Sequence, residues 1–464
     1  MQRRNLLRAA AAATALPALS ACGGGGSGDD DPSTGTGITG FSADKTTYFV
    51  GETVQLSATF TGSGTIEPGA LPITSGTPLS VVISGPTTYV LTTTATGSSS
   101  STRSLSVPAT YRNTYNSIGI CAARAGQREA TLADRVLLIG GQSVINAQSL
   151  PAQVLQYNPS SEVFAAAGNL LTGRFAHSAT PIPATGSTTT LTRVMVFGGL
   201  QDDAGVAIAE VFDSASGSSR ATTTQPRDAR SGHSALALND RRVLLTGGTN
   251  GGIALASADL FDPAGETFTR LTSTLSVGRT GHATAMLRDG SVLIYGGLTQ
   301  SGRAAPPERY DPALQAFTSF GLPDVDLDVC ILPTVLTLSS GDVLIVGGTD
   351  ANGAPRGKIV RASLSGTQVV FALQGTLRTA RAAPTATLLR DGRVFITGGS
   401  GDTTLRGLAT TEVIGTDGGL SAGPVMSAGR YLHTASLTST GKLLIAGGID
   451  ASGNTVSSSA DLLG

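Results

Sequence analysis

The sequence contains no tryptophan, three cysteines and few charged side chains, since 14% of its 464 residues are Asp, Glu, Lys or Arg. A typical soluble domain has about 25%. The scarcity of Glu and Lys excludes a coiled coil or a long-helix protein. With 31 basic against 32 acidic residues, the chain lacks the positive charge of a nucleic-acid-binding protein, and we expect no nucleic-acid partner. We expect Cys121 and Cys330 to be buried free thiols.

Long apolar runs are also missing, and the longest near the N-terminus covers residues 9–21. This run is too short to span a bilayer, which takes about 20 residues. It follows Arg3, Arg4 and Arg8 and ends in Leu-Ser-Ala-Cys at Cys22, and in this it resembles a bacterial lipoprotein signal peptide. The resemblance implies cleavage before Cys22 and lipidation of that residue. Arg3 and Arg4 also resemble the twin-arginine export motif, so both export routes stay open.

We therefore expect residues 1–22 to be a leader and residues 23–37, rich in Gly, Ser and Asp, to be a flexible linker. The protein is then expected in the bacterial cell envelope, periplasmic or surface-exposed, with its lipid anchor as its membrane contact.

A small β domain is predicted at residues 38–107. Residues 54–60 (VQLSATF) alternate apolar and polar side chains, which indicates a strand with one buried face. Residues 88–92 and 104–107 repeat the pattern. The order of these strands and the turn residues Gly51, Gly85 and Pro86 resemble bacterial immunoglobulin-like modules, which implies a small sandwich.

The remainder of the chain, residues 108–464, repeats seven times. In each unit a short apolar strand runs into a Gly-Gly doublet, and the doublets lie 49 to 58 residues apart. They end at Gly141, Gly199, Gly248, Gly297, Gly348, Gly399 and Gly448. A strand and a hairpin turn precede each apolar strand, as at residues 283–290, and a third strand ends in an aromatic-Asp-Pro turn, as at residues 310–312. A fourth strand with an aromatic residue follows.

The doublet, the period and the four short strands resemble the kelch repeat family, although the usual tryptophan is replaced by Phe in several units. The resemblance implies an all-β fold, a seven-bladed β-propeller preceded by a small immunoglobulin-like β-sandwich. The last unit ends after its third strand, so we expect residues 111–118 to supply the missing strand and close the ring.

All four histidines fall at one repeat position, and an arginine stands three residues before each. The histidines are His177, His233, His282 and His433, and the arginines, including one in the sixth unit, are Arg174, Arg230, Arg279, Arg381 and Arg430. One interpretation places them around a channel mouth, where the histidines bind a metal or the arginines bind an acidic glycan. The other makes them repeated structural residues that hydrogen-bond neighbouring strands.

The fifth unit lacks this Arg and His and instead carries Asp324, Asp326 and Asp328 just before its first strand. Alternating acids are typical either of a ligand or calcium site or of a solvated loop. An EF-hand is excluded because Val329 and Val335 stand where Gly and Glu are needed.

Galactose-oxidase-like copper enzymes are kelch propellers, and their motif places Tyr directly before His. Here Tyr431 stands one residue too early for His433, and we expect no domain after Gly464 to supply a second histidine. We therefore predict no cofactor. The favoured function is a monomeric binding module for a glycan or protein ligand, and the alternative is a carbohydrate-active enzyme, an oxidase or a sugar mutarotase.

Overall fold

A computed structural model describes residues 37–94, 100–120, 122–145, 150–187, 190–201, 204–320 and 330–464. Every regular element within these ranges is a β-strand, so the prediction of an all-β chain is confirmed there. Within the same ranges no helix has the length and apolar character needed to cross a membrane.

The N-terminal part forms two antiparallel sheets, which we call the N-terminal module. Its strands are β1 (Gly40–Ala43), β2 (Tyr48–Phe49), β3 (Thr53–Thr59), β4 (Ser63–Glu67), β5 (Leu71–Ile73), β6 (Leu79–Val82), β7 (Thr87–Thr94), β8 (Ser101–Val107) and β9 (Ala109–Thr110). One sheet has the order β1-β3-β6 and the other β5-β4-β7-β8, while β2 and β9 form a short parallel pair. Val54, Leu56 and Ala58 on β3 are buried and their neighbours are not, as the period-two pattern predicts.

Seven further sheets of four antiparallel strands follow, one for each predicted repeat. Repeats 1 to 3 consist of β11 (Arg128–Thr131), β12 (Val136–Ile139), β13 (Gln153–Asn158) and β14 (Val163–Asn169); of β15 (Ser178–Pro183), β16 (Leu191–Phe197), β19 (Glu210–Asp213) and β20 (Ser218–Ala221); and of β21 (Ser234–Ala237), β22 (Val243–Thr246), β25 (Ala258–Asp262) and β26 (Thr267–Arg270).

Repeats 4 to 6 consist of β28 (Ala283–Met286), β29 (Val292–Tyr295), β31 (Glu308–Asp311) and β32 (Ala316–Ser319); of β33 (Thr334–Thr337), β34 (Val343–Val346), β35 (Arg356–Ser365) and β36 (Gln368–Arg381); and of β37 (Thr385–Leu388), β38 (Val394–Thr397), β39 (Thr411–Ile414) and β40 (Leu420–Ala422). Short strand pairs in the connections are β17 (Leu200–Gln201) with β18 (Ala204–Gly205), β23 (Thr249–Asn250) with β24 (Ile253–Ala254), and β27 (Arg279–Thr280) with β30 (Leu298–Thr299).

Repeat 7 contains strands from both ends of the chain. It consists of β41 (Thr434–Leu437), β42 (Leu443–Ala446) and β43 (Ser459–Leu463), with β10 (Asn116–Gly119) as its fourth strand. β10 pairs antiparallel with β43, placing Asn116 opposite Leu462 and Gly119 opposite Ser459. The prediction that a segment before the first doublet completes the last sheet is therefore confirmed, with the strand at 116–119 inside the predicted 111–118 except for its last residue.

The doublets are the junctions between neighbouring sheets. In every repeat the second glycine donates its N–H to a backbone carbonyl just before the first strand of the next repeat, at 2.7 to 3.1 Å. Gly448 of repeat 7 donates to Arg124 of repeat 1 at 2.7 Å, so the seven hydrogen bonds form a closed cycle. A Cβ on the first glycine would lie 2.1 to 2.6 Å from the same carbonyl oxygens, and both glycines have positive φ. This close approach explains why the sequence repeats Gly-Gly.

The first strands of the seven sheets make a second cycle. Each contacts the first strand of the next repeat, and β11 of repeat 1 contacts β41 of repeat 7. We call these seven strands the inner ring. Because the sheets are antiparallel, the doublets and the connections between repeats lie at one end of every sheet, the doublet end. The turns between strands one and two and between strands three and four lie at the opposite end, the hairpin end.

The N-terminal module packs against the hairpin end of repeats 6 and 7. Its buried apolar side chains share one cluster with Leu389, Phe395 and Leu443. The Tyr111 hydroxyl, just after β9, donates to the carbonyl of Gly441 at 2.7 Å. Module and repeats are therefore joined by a continuous apolar contact.

Candidate functional site

The five predicted arginines lie inside their sheets. All of them have a relative exposure of 0%. Each guanidinium donates to the carbonyl of the first doublet glycine of its own repeat, at 2.8 to 3.3 Å, and to a carboxylate on the third strand. The pairs are Arg174–Glu210, Arg230–Asp259, Arg279–Glu308, Arg381–Glu412 and Arg430–Asp461.

These contacts agree with the interpretation in which the arginines are repeated structural residues that hydrogen-bond neighbouring strands. A guanidinium that is fully buried and already bound to a carboxylate and to backbone carbonyls has no surface for a ligand from solution. The expectation that Arg174, Arg230, Arg279, Arg381 and Arg430 line a channel mouth and bind an acidic glycan therefore does not fit their positions. Buried ion pairs of this kind, supported by hydrogen bonds to backbone carbonyls, hold strands in register.

Repeat 1 contains a further member of the set that the sequence pattern did not reveal. Arg124 is 1% exposed and donates to the carbonyls of Gly140 and Gln153 at 3.4 and 2.9 Å. It precedes its doublet by 16 residues, against 17 in four of the other repeats. This spacing was the signal that could have identified it.

Repeat 5 has exchanged both members of the pair. Cys330 occupies the arginine position, since its carbonyl accepts the N–H of Gly297 as the arginine carbonyls do elsewhere. Val360 faces Ile345 in the register in which Asp461 faces Ile445 in repeat 7. Repeat 5 thus lacks both the buried arginine and its carboxylate partner, so neither member of this pair is buried without the other. Cys330 is buried, as expected.

The histidines connect neighbouring sheets. Nε2 of His233 lies 2.8 Å from the Ser178 hydroxyl of the preceding repeat, and Nε2 of His282 lies 2.8 Å from Thr246 of its preceding repeat. His433 contacts Thr397 across the boundary between repeats 6 and 7 at 3.2 Å. Burial lowers the pKa of all four histidines, to about 3 for His282 and His433. They are therefore neutral structural groups at physiological pH.

In repeat 1 the histidine position holds Gln127. Its Nε2 donates to the carbonyl of Ala446 in repeat 7 at 2.9 Å. The side chain thus makes the same connection to the preceding sheet as the histidines do, across the boundary where the two ends of the repeat array meet.

Five residues for which the sequence makes predictions lie outside the described residues: the candidate ligand residues Asp324, Asp326 and Asp328, the lipidation site Cys22, and the predicted free thiol Cys121. Their roles stay predictions.

Two charged side chains stand on the inner ring, both in repeat 1. Arg128 is exposed, and its Nε donates to the carbonyl of His177 in repeat 2 at 2.9 Å. Glu129 is half-buried and accepts a 2.6 Å hydrogen bond from the Ser436 hydroxyl of repeat 7. Burial raises the pKa of Glu129 to about 7, opposed by the Ser436 hydrogen bond and by Arg128. The repeat pattern places Arg128 near the histidine position but does not identify Glu129.

The chain matches no protein-family model and no curated protein sequence. Among solved structures it is similar to one described as a novel fungal alcohol oxidase with catalytic diversity among the AA5 family, in complex with copper. The TM-score is 0.60 and the identity 17%, over 76% of each chain. At this identity the likeness shows the fold alone: this chain has an all-β fold similar to that of a galactose-oxidase-like protein.

The described residues do not provide a set of ligands for a copper ion. Within the described ranges no three His, Cys, Asp or Glu side chains come close enough together to hold a metal ion. The histidines stand between different pairs of sheets, and three of them already contact hydroxyl groups there. A copper site needs several ligands about 2 Å from one ion, so these residues do not fit the metal.

Proposed function

We propose that the protein is an envelope-anchored, monomeric binding protein in which a seven-bladed kelch-type propeller presents its doublet end to a glycan or protein ligand. The N-terminal module acts as an immunoglobulin-like spacer, and lipid on Cys22 supplies the anchor. The seven sheets with their two cycles of contacts support the propeller architecture.

The position of the module carries the functional proposal. The module covers the hairpin end of repeats 6 and 7, and the linker to Cys22 precedes it in the chain. A membrane anchor attached through the module therefore leaves the opposite, doublet end facing away from the attachment. Loops on a rigid scaffold are a common place for binding residues.

The doublet end also exposes large apolar side chains. Val144, Ile208, Ile253 and Leu405, in the connections between second and third strands of four repeats, are 63%, 44%, 64% and 46% exposed. Exposed apolar side chains on a loop surface are typical of contacts with a protein or with the apolar face of a sugar. They support the doublet end as the binding surface.

The test is a ligand screen on the full chain against a glycan array and extracellular protein fractions, repeated with paired variants. Ile253→Ser with Leu405→Ser changes the doublet end. Leu314→Ser, at a residue 75% exposed in a hairpin-end turn, is the matched control. We expect the double variant to weaken binding at least tenfold and the control to leave it unchanged. Loss of binding in the control alone would refute the proposal.

A second candidate, a carbohydrate-active enzyme, is favoured by one observation. Glu129, with a pKa raised by burial to about 7, can accept or donate a proton near neutral pH beside the cation of Arg128. Proton transfer of this kind is what sugar mutarotation needs. Accelerated interconversion of sugar anomers by the wild-type chain, lost in Glu129→Gln, would favour this candidate over the binding module.

A further inference from the structure

Arg128 differs from the paired arginines in both exposure and partners. The first strands of repeats 2 to 7 carry no charged residue, whereas β11 begins with Arg128 and Glu129. Among the described residues its one hydrogen bond is made by Nε to the carbonyl of His177, so both terminal nitrogens of the guanidinium lack a protein acceptor there. Arg174 and Arg430, by contrast, each bind a buried carboxylate.

The carboxylate of Glu129, the next residue in the chain, does not accept a hydrogen bond from the Arg128 guanidinium. Successive side chains of a strand point to opposite faces, so Arg128 turns to repeat 2 and Glu129 to repeat 7. The Glu129 carboxylate instead accepts the Ser436 hydroxyl. The guanidinium is held in orientation through Nε while its two terminal nitrogens remain available as a fork, the arrangement that suits a carboxylate ligand.

The position of Arg128 makes this fork accessible. Arg128 pairs with Ile139, the residue directly before its doublet, so it lies at the doublet end of the inner ring. Hydroxyl residues begin five of the other six inner strands, but their hydroxyl groups already take part in hydrogen bonds, as Ser178 does with His233 and Thr334 with the carbonyl of Pro384. Recognition therefore depends on the single cationic fork, which suits a carboxylate monoanion better than a phosphate dianion that the Glu129 carboxylate would repel.

We propose that Arg128 is the anchor for the carboxylate of an acidic saccharide that enters the inner ring from the doublet end. This inference rests on the proposed binding function and names its ligand class. Recognition of an acidic ligand is thus assigned to the exposed Arg128 and not to the five buried arginines.

The charges around the site give the binding a pH dependence. The other strands packed against β11, namely β12, β15 and β41, carry no charged side chain, and the nearby His177 stays neutral because burial lowers its pKa. Glu129 is thus the titrating group. Below its pKa of about 7 it is neutral and the site keeps the full positive charge of Arg128; above that value its carboxylate opposes an anion. Binding should be several-fold stronger at pH about 6 than at about 8.

The experiment titrates the full chain with glucuronate, glucose and inorganic phosphate by calorimetry at both pH values. We expect glucuronate to bind, and glucose and phosphate to bind at least tenfold more weakly. Arg128→Gln should weaken glucuronate binding at least tenfold, and Arg128→Lys should restore part of it because the charge remains without the fork. Glu129→Gln should remove the pH dependence. Arg103→Gln, at an exposed residue of the module, is the control.

Circular dichroism melting of each variant separates lost binding from lost folding. Equal affinity for glucose and glucuronate, unchanged affinity in Arg128→Gln, or no binding of any acidic saccharide would overturn the assignment. Ligand binding that survives Arg128→Gln but is lost with Ile253→Ser and Leu405→Ser would refute this inference and leave the proposed function intact. Binding lost in Leu314→Ser alone would contradict the proposed function itself.

Discussion

Replacing the first glycine of the last doublet tests the junction that closes the ring. A Cβ at Gly447 would lie 2.4 Å from the carbonyl oxygen of Arg124, and φ is +67°. The left-handed conformation costs a residue with Cβ about 1–2 kcal/mol, and the steric overlap adds about 1–3 kcal/mol. Gly447→Ala should therefore lower the free energy of unfolding by about 3 kcal/mol, as measured by urea denaturation of the full chain.

Gly251→Ala is the matched control. Gly251 has a similar φ of +55°, but no atom lies within 4 Å of the position that a Cβ would occupy. Gly251→Ala should lower the free energy of unfolding by about 1 kcal/mol. The backbone conformation is the same as at Gly447, but the clash is absent. Equal losses in the two variants would refute the idea that the doublets are close-contact junctions between sheets.

Two further predictions concern the repeated polar residues. Arg430→Met should lower the free energy of unfolding by about 3–5 kcal/mol because it leaves the Asp461 carboxylate buried without its partner. Arg430→Met with Asp461→Leu should recover most of that loss in urea denaturation, and a double variant no more stable than the single one would contradict this. Burial lowers the pKa of His282 to about 3, below the unfolded value of about 6.5, so the unfolded chain binds the proton first and stability falls as pH drops from about 6.5 toward 3. His282→Gln, which copies Gln127 of repeat 1, should make this part of the stability–pH curve less steep, while His177, His233 and His433 keep the remaining slope. An unchanged slope would show that His282 does not contribute to it.

The regular parts of the repeat were predictable because local chemistry determines them. The apolar runs before the doublets form the second strand of every repeat and are buried at each position, as in β22 and β29. The Asp of the aromatic-Asp-Pro turns accepts backbone N–H groups as predicted, for example Asp311 from Ala313 at 2.9 Å. Both features depend on residues a few positions apart.

The polar interactions depended on partners distant in sequence, and there prediction was less complete. Arg430 and its acid Asp461 are 31 residues apart, and only the register of strands brings them together. The paired arginines and acids are 29 to 36 residues apart, so their spacing did not identify the pairs, and arginine position alone allowed a ligand-binding interpretation as well. Glu129 could not be identified because its raised pKa arises from packing between repeats 1 and 7.

The packing of the module on repeats 6 and 7 could not be predicted from sequence patterns either. Leu443 begins an apolar run like those of the other repeats, and Leu389 follows the first strand of repeat 6 as Leu287 follows that of repeat 4, yet Leu389 and Leu443 share a cluster with the module core. No local feature of these strands distinguishes a module contact from a contact between sheets.

Hydrogen exchange of the full chain with and without saturating glucuronate shows whether ligand contacts the doublet end at Arg128. We predict slowed exchange at residues 122–131 and 174–180, which surround Arg128 and the carbonyl of His177, and unchanged exchange at the hairpin-end residues 311–316. Protection confined to the hairpin end or to the N-terminal module would contradict binding at Arg128.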